Sequence, residues 1–177
     1  MKKIGIGILF FIIFFIIYFL EANIFPFLTI NGVLPNLFII FILFIGLFAN
    51  TAYGVFFGAI CGLILDLIYG KSIGISAVMF CIVGYLGSYF DKNFSKENKI
   101  TIILMVVGST IIFEAGYYLL SSIIIDFKLE WLAFFKILIV EVVYNVLLSI
   151  ILYPIIQKAG YSVDRIFKKN NVLTRYF

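Results

Sequence analysis

Three acidic residues, Asp66, Glu114 and Glu141, stand inside long apolar runs and are the first places to look for chemistry. A charge near the centre of a bilayer costs roughly 2.5–3.5 kcal/mol on insertion scales, so such a side chain is held by a partner or a task. Glu114 is followed by Tyr118 and Ser121, and Glu141 by Asn145 and Ser149. At helical spacing each set lies along one face. Both faces belong inside a helix bundle, and all three acids fall in the middle to outer half of the bilayer. Two readings stay open. Either the acids line a shared polar cavity, a candidate ion or proton pathway, or Glu114 and Glu141 bond neighbouring helices through protonated or partnered carboxyls. Asp66 comes just before the turn Gly70-Lys71-Ser72. There it could accept backbone N–H groups at the start of the next helix, or meet a partner protein's cation.

Other chemistry is poorly supplied. There is no histidine, the commonest general base and metal ligand. Cys61 and Cys81 lie in apolar runs at different depths, which suits inert buried thiols rather than a disulfide. Gly70-Lys71-Ser72 ends like a phosphate loop, but position 65 is Leu65 where that loop needs glycine. No nucleophile, base and orienting group can be assembled. The reading is of a non-enzyme with no cofactor and no metal.

The elements that must carry these residues are membrane helices. Of 177 residues, 64% are apolar and 12% charged, with a mean hydropathy of +1.22. Soluble domains are about 45–50% apolar and about 25% charged, so the solvent here is lipid. The apolar runs are continuous rather than alternating, which selects helices over a barrel. At roughly 20 residues per crossing, six helices nearly exhaust the chain. The expected fold is all-α, a six-transmembrane-helix bundle. Its spans are Ile4 to Leu20, Pro35 to Phe48, Tyr53 to Tyr69, Ile73 to Phe90, Ile100 to Ile125 and Trp131 to Ile156. Pro35 suits the first turn of its helix. The first run lacks a small-residue cleavage site and reads as a span, not a signal peptide. The runs of Phe and Ile read as lipid-facing. Residues 1–156 form the membrane domain and 157–177 a basic cytoplasmic tail.

Lysine and arginine set the orientation. With the N-terminus inside, the inner segments hold Lys2, Lys3, Lys92, Lys96, Lys99, Lys158, Arg165, Lys168, Lys169 and Arg175. The outer side holds Lys71, Lys128 and Lys136. Both termini are therefore expected in the cytoplasm. The net charge of +4 is accounted for by helix ends and does not point to nucleic acid. In the tail, Val163, Ile166 and Phe167 alternate with Arg165, Lys168 and Lys169 at helical spacing. This suits either a basic amphipathic helix on the anionic inner leaflet or a solvated end that fixes topology.

The third span carries the densest pattern. Gly54, Gly58, Gly62, Asp66 and Gly70 recur at every fourth position. In lipid, where no hydrophobic force joins helices, such a ridge lets two backbones approach closely. The contact is with a neighbouring helix or with a partner protein.

Two stretches together resemble the MreD family of bacterial rod-shape proteins. One is Phe27-Leu28-Thr29-Ile30-Asn31-Gly32-Val33-Leu34-Pro35-Asn36-Leu37. The other runs from Gly58 through Gly62-Leu63-Ile64-Leu65-Asp66-Leu67-Ile68-Tyr69-Gly70-Lys71-Ser72-Ile73-Gly74 to Gly84-Tyr85. The motif residues are Pro35, Asn36, Asp66, Gly70 and Gly74. Many relatives carry a basic residue before the proline, where this chain has Leu34. The resemblance covers about residues 25–90 and implies a scaffold in the plasma membrane, part of the elongation complex (elongasome) that supports peptidoglycan synthesis. It implies an MreC-like membrane protein as partner, and through it MreB, RodA and a class B penicillin-binding protein. It also implies a fold like the substrate-binding subunits of energy-coupling-factor transporters. From that comes the alternative function, a vitamin-like small-molecule binder. The first span, Phe10-Phe11-Ile12-Ile13-Phe14-Phe15, lacks the small-residue docking face those subunits use.

Overall fold

The computed structural model describes residues 2–69, 73–94, 96, 98–125 and 129–167. The helices are α1 (Lys2–Asn23), α2 (Leu37–Phe48), α3 (Thr51–Tyr69), α4 (Ile75–Asn93), α5 (Lys99–Ile125) and α6 (Trp131–Phe167). Four of them, α1, α3, α5 and α6, are long and apolar enough to cross a membrane. Helix α4 has the length, with 19 residues, but carries Ser76, Ser88 and Asp91. Helix α2 has 12 residues, so at 1.5 Å per residue it reaches about 18 Å, well short of a hydrocarbon core about 30 Å thick.

Helix α2 is the centre of the molecule. From Leu37 to Phe48 every residue except Phe41 is buried. An all-round apolar helix is stable only when other helices enclose it. Its start differs from the expected one: Pro35 lies outside the helix, and Asn36 is the N-cap, its side chain accepting from the Ile39 N–H at 3.3 Å. Ahead of it the chain makes a 3-10 turn at Phe25–Leu28. A tight turn follows, closed by an antiparallel bridge between Ile30 and Val33. Asn31 and Gly32 take φ of 52° and 78° there, the left-handed conformations such a turn requires.

The Phe and Ile runs are not simply lipid-facing. Phe10 and Phe14 of α1 are buried, and Phe14 packs on Phe38 with ring centroids 5.2 Å apart. Aromatic rings gain from tilted and edge contacts inside the bundle, so one stripe of α1 turns inward. Its other stripe, including Ile4, Ile8, Ile12 and Phe19, stays exposed.

Helix α6 does not end at Ile156. It continues through Pro154 to Phe167 because its last turns have their own contacts. Gly160 packs on the Phe48 ring, Tyr161 meets Phe48 at 5.8 Å and Phe167 meets Tyr53 at 4.5 Å. Val163, Ile166 and Phe167 pack on the bundle rather than forming a separate helix. Lys168, Lys169 and Arg175 lie outside the described residues.

Candidate functional site

The polar residues gather at one end of the bundle, around the start of α2. The first turn of a helix leaves its N–H groups without helical acceptors, and side chains from two other helices supply them. The Asn36 N–H donates to Asn145 Oδ1 on α6 at 2.8 Å, and the Leu37 N–H donates to Glu21 Oε1 on α1 at 2.7 Å. Glu21 also accepts from the Phe38 N–H, and Asn36 itself serves Ile39. Asn145 is fully buried and uses its amide nitrogen as a donor to Thr110 Oγ1 on α5 at 3.2 Å. Asn36 and Asn145 thus pin α2 to α6 and α5, while Glu21 adds α1.

Two of the acids singled out in the sequence come together here. Glu114 on α5 and Glu141 on α6 are close enough to interact with each other. Glu141, Asn145 and Ser149 lie buried along one face of α6. On α5, Tyr117 lines the same cavity as Glu114, a neighbour the helical stripe of Tyr118 and Ser121 did not include. Tyr118 instead accepts the Glu130 N–H at 2.7 Å and stacks on Phe134. A cavity of about 200 Å3 is lined by Glu21, Asn36, Ser76, Glu114 and Tyr117, walled by Phe38 and Phe80.

Asp66, buried near the end of α3, faces the start of α4. Its carboxylate accepts the N–H groups of Gly74 at 2.8 Å, Ser76 at 3.3 Å and Ala77 at 3.4 Å. Gly74 has φ of 103°, a left-handed conformation that glycine adopts without strain. Two of the motif residues, Asp66 and Gly74, therefore form one structural unit.

The glycine ridge of α3 faces α4. A Cβ on Gly54 would fall 2.7 Å from the Gly84 carbonyl oxygen and 2.8 Å from the Gly46 Cα. One on Gly58 would strike the Phe80 carbonyl, and one on Gly62 the Ala77 backbone. Gly46 of α2 and Gly84 and Gly87 of α4 complete the contact, so three backbones meet at glycines. Gly70, with Lys71, lies outside the described residues.

Sequence reasoning missed Glu21, which follows the first span, and Gly46 and Gly87, which have no period of their own. It also missed a cluster at the opposite end. Lys96, in the turn between α4 and α5, is buried and donates to Asp91 at 2.9 Å and to Asp164 of α6 at 2.7 Å. Its ammonium also lies 5.2 Å from the Phe48 ring centroid. Burial alone would lower its pKa, but the hydrogen bonds and charges of Asp164 and Asp91 outweigh burial and hold it above the ordinary 10.5. Asp91 and Lys96 had looked like loop charges, and nothing in the sequence links them to Asp164.

Among the described residues, no group of three His, Cys, Asp or Glu side chains is placed to hold a metal ion. Cys61 and Cys81 are free thiols. Fold and site together define a small multi-pass membrane protein, an all-helical bundle whose polar network bonds helix to helix. The chain belongs to the MreD family: the family model for the rod shape-determining protein MreD matches residues 1–159. That match extends through α5 and most of α6, well past the residues that carry the motifs. No curated protein and no solved structure matches the chain.

Proposed function

We propose that this rod shape-determining membrane protein is a scaffold of the cell-elongation complex, supporting peptidoglycan synthesis by binding an MreC-like membrane protein. MreB, RodA and a class B penicillin-binding protein join through that partner. The family match over residues 1–159 carries this reading. The site is consistent with it. Its carboxyls and amides bond other helices and backbone groups, as a rigid platform requires, and form no nucleophile and base pair. The bundle sits in the plasma membrane with both termini in the cytoplasm, and α4 together with the short α2, enclosed by the longer helices, brings the passes to six.

Depletion in a rod-shaped host tests the reading. Cells should round and widen, and the tagged protein should co-purify with an MreC-like protein in mild detergent. Normal rods together with no such partner would sink it. The cavity is the observation that favours a small-molecule binder instead. At about 200 Å3 it is below the roughly 300–1,000 Å3 of ligand pockets. A vitamin retained tightly on the purified protein would reverse that judgement.

A further inference from the structure

At the end of the bundle where α1 begins and α6 finishes, the charges are sorted. Buried Lys96 takes up Asp91 and Asp164 at 2.9 and 2.7 Å. Among the described residues, the exposed charged side chains left at this end are Lys3, Lys92, Lys99, Lys158 and Arg165, all of them cations. The outer face of α6 has a shallow groove here of about 570 Å3, lined by Pro154, Ile155, Lys158, Ala159 and Ser162. The groove is apolar at one end and cationic at the other. Ile151 and Ile155 are 67% and 66% exposed, and Lys158 follows about one turn later along the axis. The Ser162 hydroxyl donates to the Lys158 carbonyl at 3.2 Å, which leaves the Lys158 ammonium as the polar group for a ligand.

The geometry points to a binding site for an anionic phospholipid, its acyl chain along Pro154, Ile155 and Ala159 and its phosphate on Lys158 and Arg165. Charge alone would also suit an acidic peptide. The apolar half decides for lipid, because it is continuous with the outward-facing isoleucines at acyl-chain depth, while the cations stand at headgroup depth. The Lys96 cluster serves the same site by pairing buried Asp91 and the part-exposed Asp164, so that neither acid stands unopposed beside Lys158 and Arg165.

The test uses the full chain purified with mixed phosphatidylglycerol and phosphatidylcholine, with retained lipid counted by native mass spectrometry. Wild type should keep phosphatidylglycerol in preference. K158Q and R165Q should each lower that preference about fivefold, the equivalent of ~1 kcal/mol for a Lys or Arg near an anionic surface. K158R should restore it, and K136Q, at the opposite end, should leave it unchanged. Equal retention of the two lipids by wild type overturns the proposal. So does an unchanged preference in the K158Q/R165Q double variant. A159L fills the groove and should displace the lipid. If A159L instead loses a co-purifying protein and keeps its phosphatidylglycerol, the groove belongs to a partner helix and the proposal is wrong.

Discussion

Asn145 on α6 accepts the backbone N–H of Asn36 at 2.8 Å, across 109 positions of sequence. Asn145 is fully buried and the bond is part-buried, so losing either partner leaves the other without its hydrogen bond. Asn145→Leu, close in size, should cost about 1–3 kcal/mol for the unsatisfied donor. Ser149→Ala, one turn on, should cost much less, because the Ser149 hydroxyl only bonds its own helix at Val146. Thermal unfolding in detergent distinguishes the two. Equal melting temperatures for both variants would show that the bond to Asn36 contributes nothing.

The glycines divide into two groups. Gly58→Leu, Gly62→Leu and Gly84→Leu each drive a side chain into backbone atoms that cannot rotate away. Overpacking commonly costs about 1–3 kcal/mol, and a collision with backbone sits at the upper end. Gly108 has nothing within 4 Å of a built Cβ, so Gly108→Ala should be neutral or stabilise its helix by up to about 1 kcal/mol. Protein level by immunoblot is the measurement. Normal accumulation of the leucine variants would refute close packing of α3 on α4.

Asp66 should behave as a cap. Asp66→Asn keeps a carbonyl acceptor for Gly74 and should accumulate nearly as wild type. Asp66→Ala should lose about 0.5–2 kcal/mol. Partner co-purification is scored beside abundance. Loss of the partner from a fully abundant Asp66→Asn protein would move this residue to an interface and out of its structural role.

Lys96 gives the clearest pH signature. Its folded pKa is raised above 10.5, so the folded chain holds this proton more tightly than the unfolded one. The stabilisation is complete below pH 10.5 and disappears as pH rises through the folded value. Lys96→Met leaves two acids without their cation and should cost about 3–5 kcal/mol at neutral pH. The gap between wild type and variant should hold steady up to that pH and shrink above it. A gap that instead grows with rising pH would contradict the assignment.

Orientation is testable directly. Reporter fusions after Lys99 and after Phe177 should read cytoplasmic, and one near Lys128 external. The inner and outer basic residues motivate this, and the structure places Lys3 over the Phe167 ring at 5.3 Å, which brings the two described ends of the chain to one side. A cytoplasmic signal near Lys128 with an external one at Phe177 would mean a different number of crossings.

What could be read in the sequence was local or periodic. The apolar runs placed all six helices to within a few residues at most ends, and the fourfold glycine spacing marked the face of α3 that meets α4. Asp66 was readable because the N–H groups that donate to it lie within 11 positions. Features that need two distant segments were not readable. Glu21 becomes a cap only when α2 begins beside it, and Lys96 becomes an ion-pair centre only when α6 runs on to Asp164. The length of α6 was underestimated for the same reason. Pro154 and a polar tail argue for a stop, and the contacts with Phe48 and Tyr53 that override them come from the first third of the chain.

The short central helix also imposes an order on synthesis. When α2 leaves the ribosome its first N–H groups can find Glu21, already made, but Asn145 does not yet exist. Until α6 emerges, the Asn36 N–H at the start of α2 lacks this acceptor, and α2 is too short to cross the bilayer unaided. Helix α6 therefore closes the start of α2. A chain interrupted before residue 145 leaves the Asn36 N–H without the acceptor that ties the start of α2 to α6.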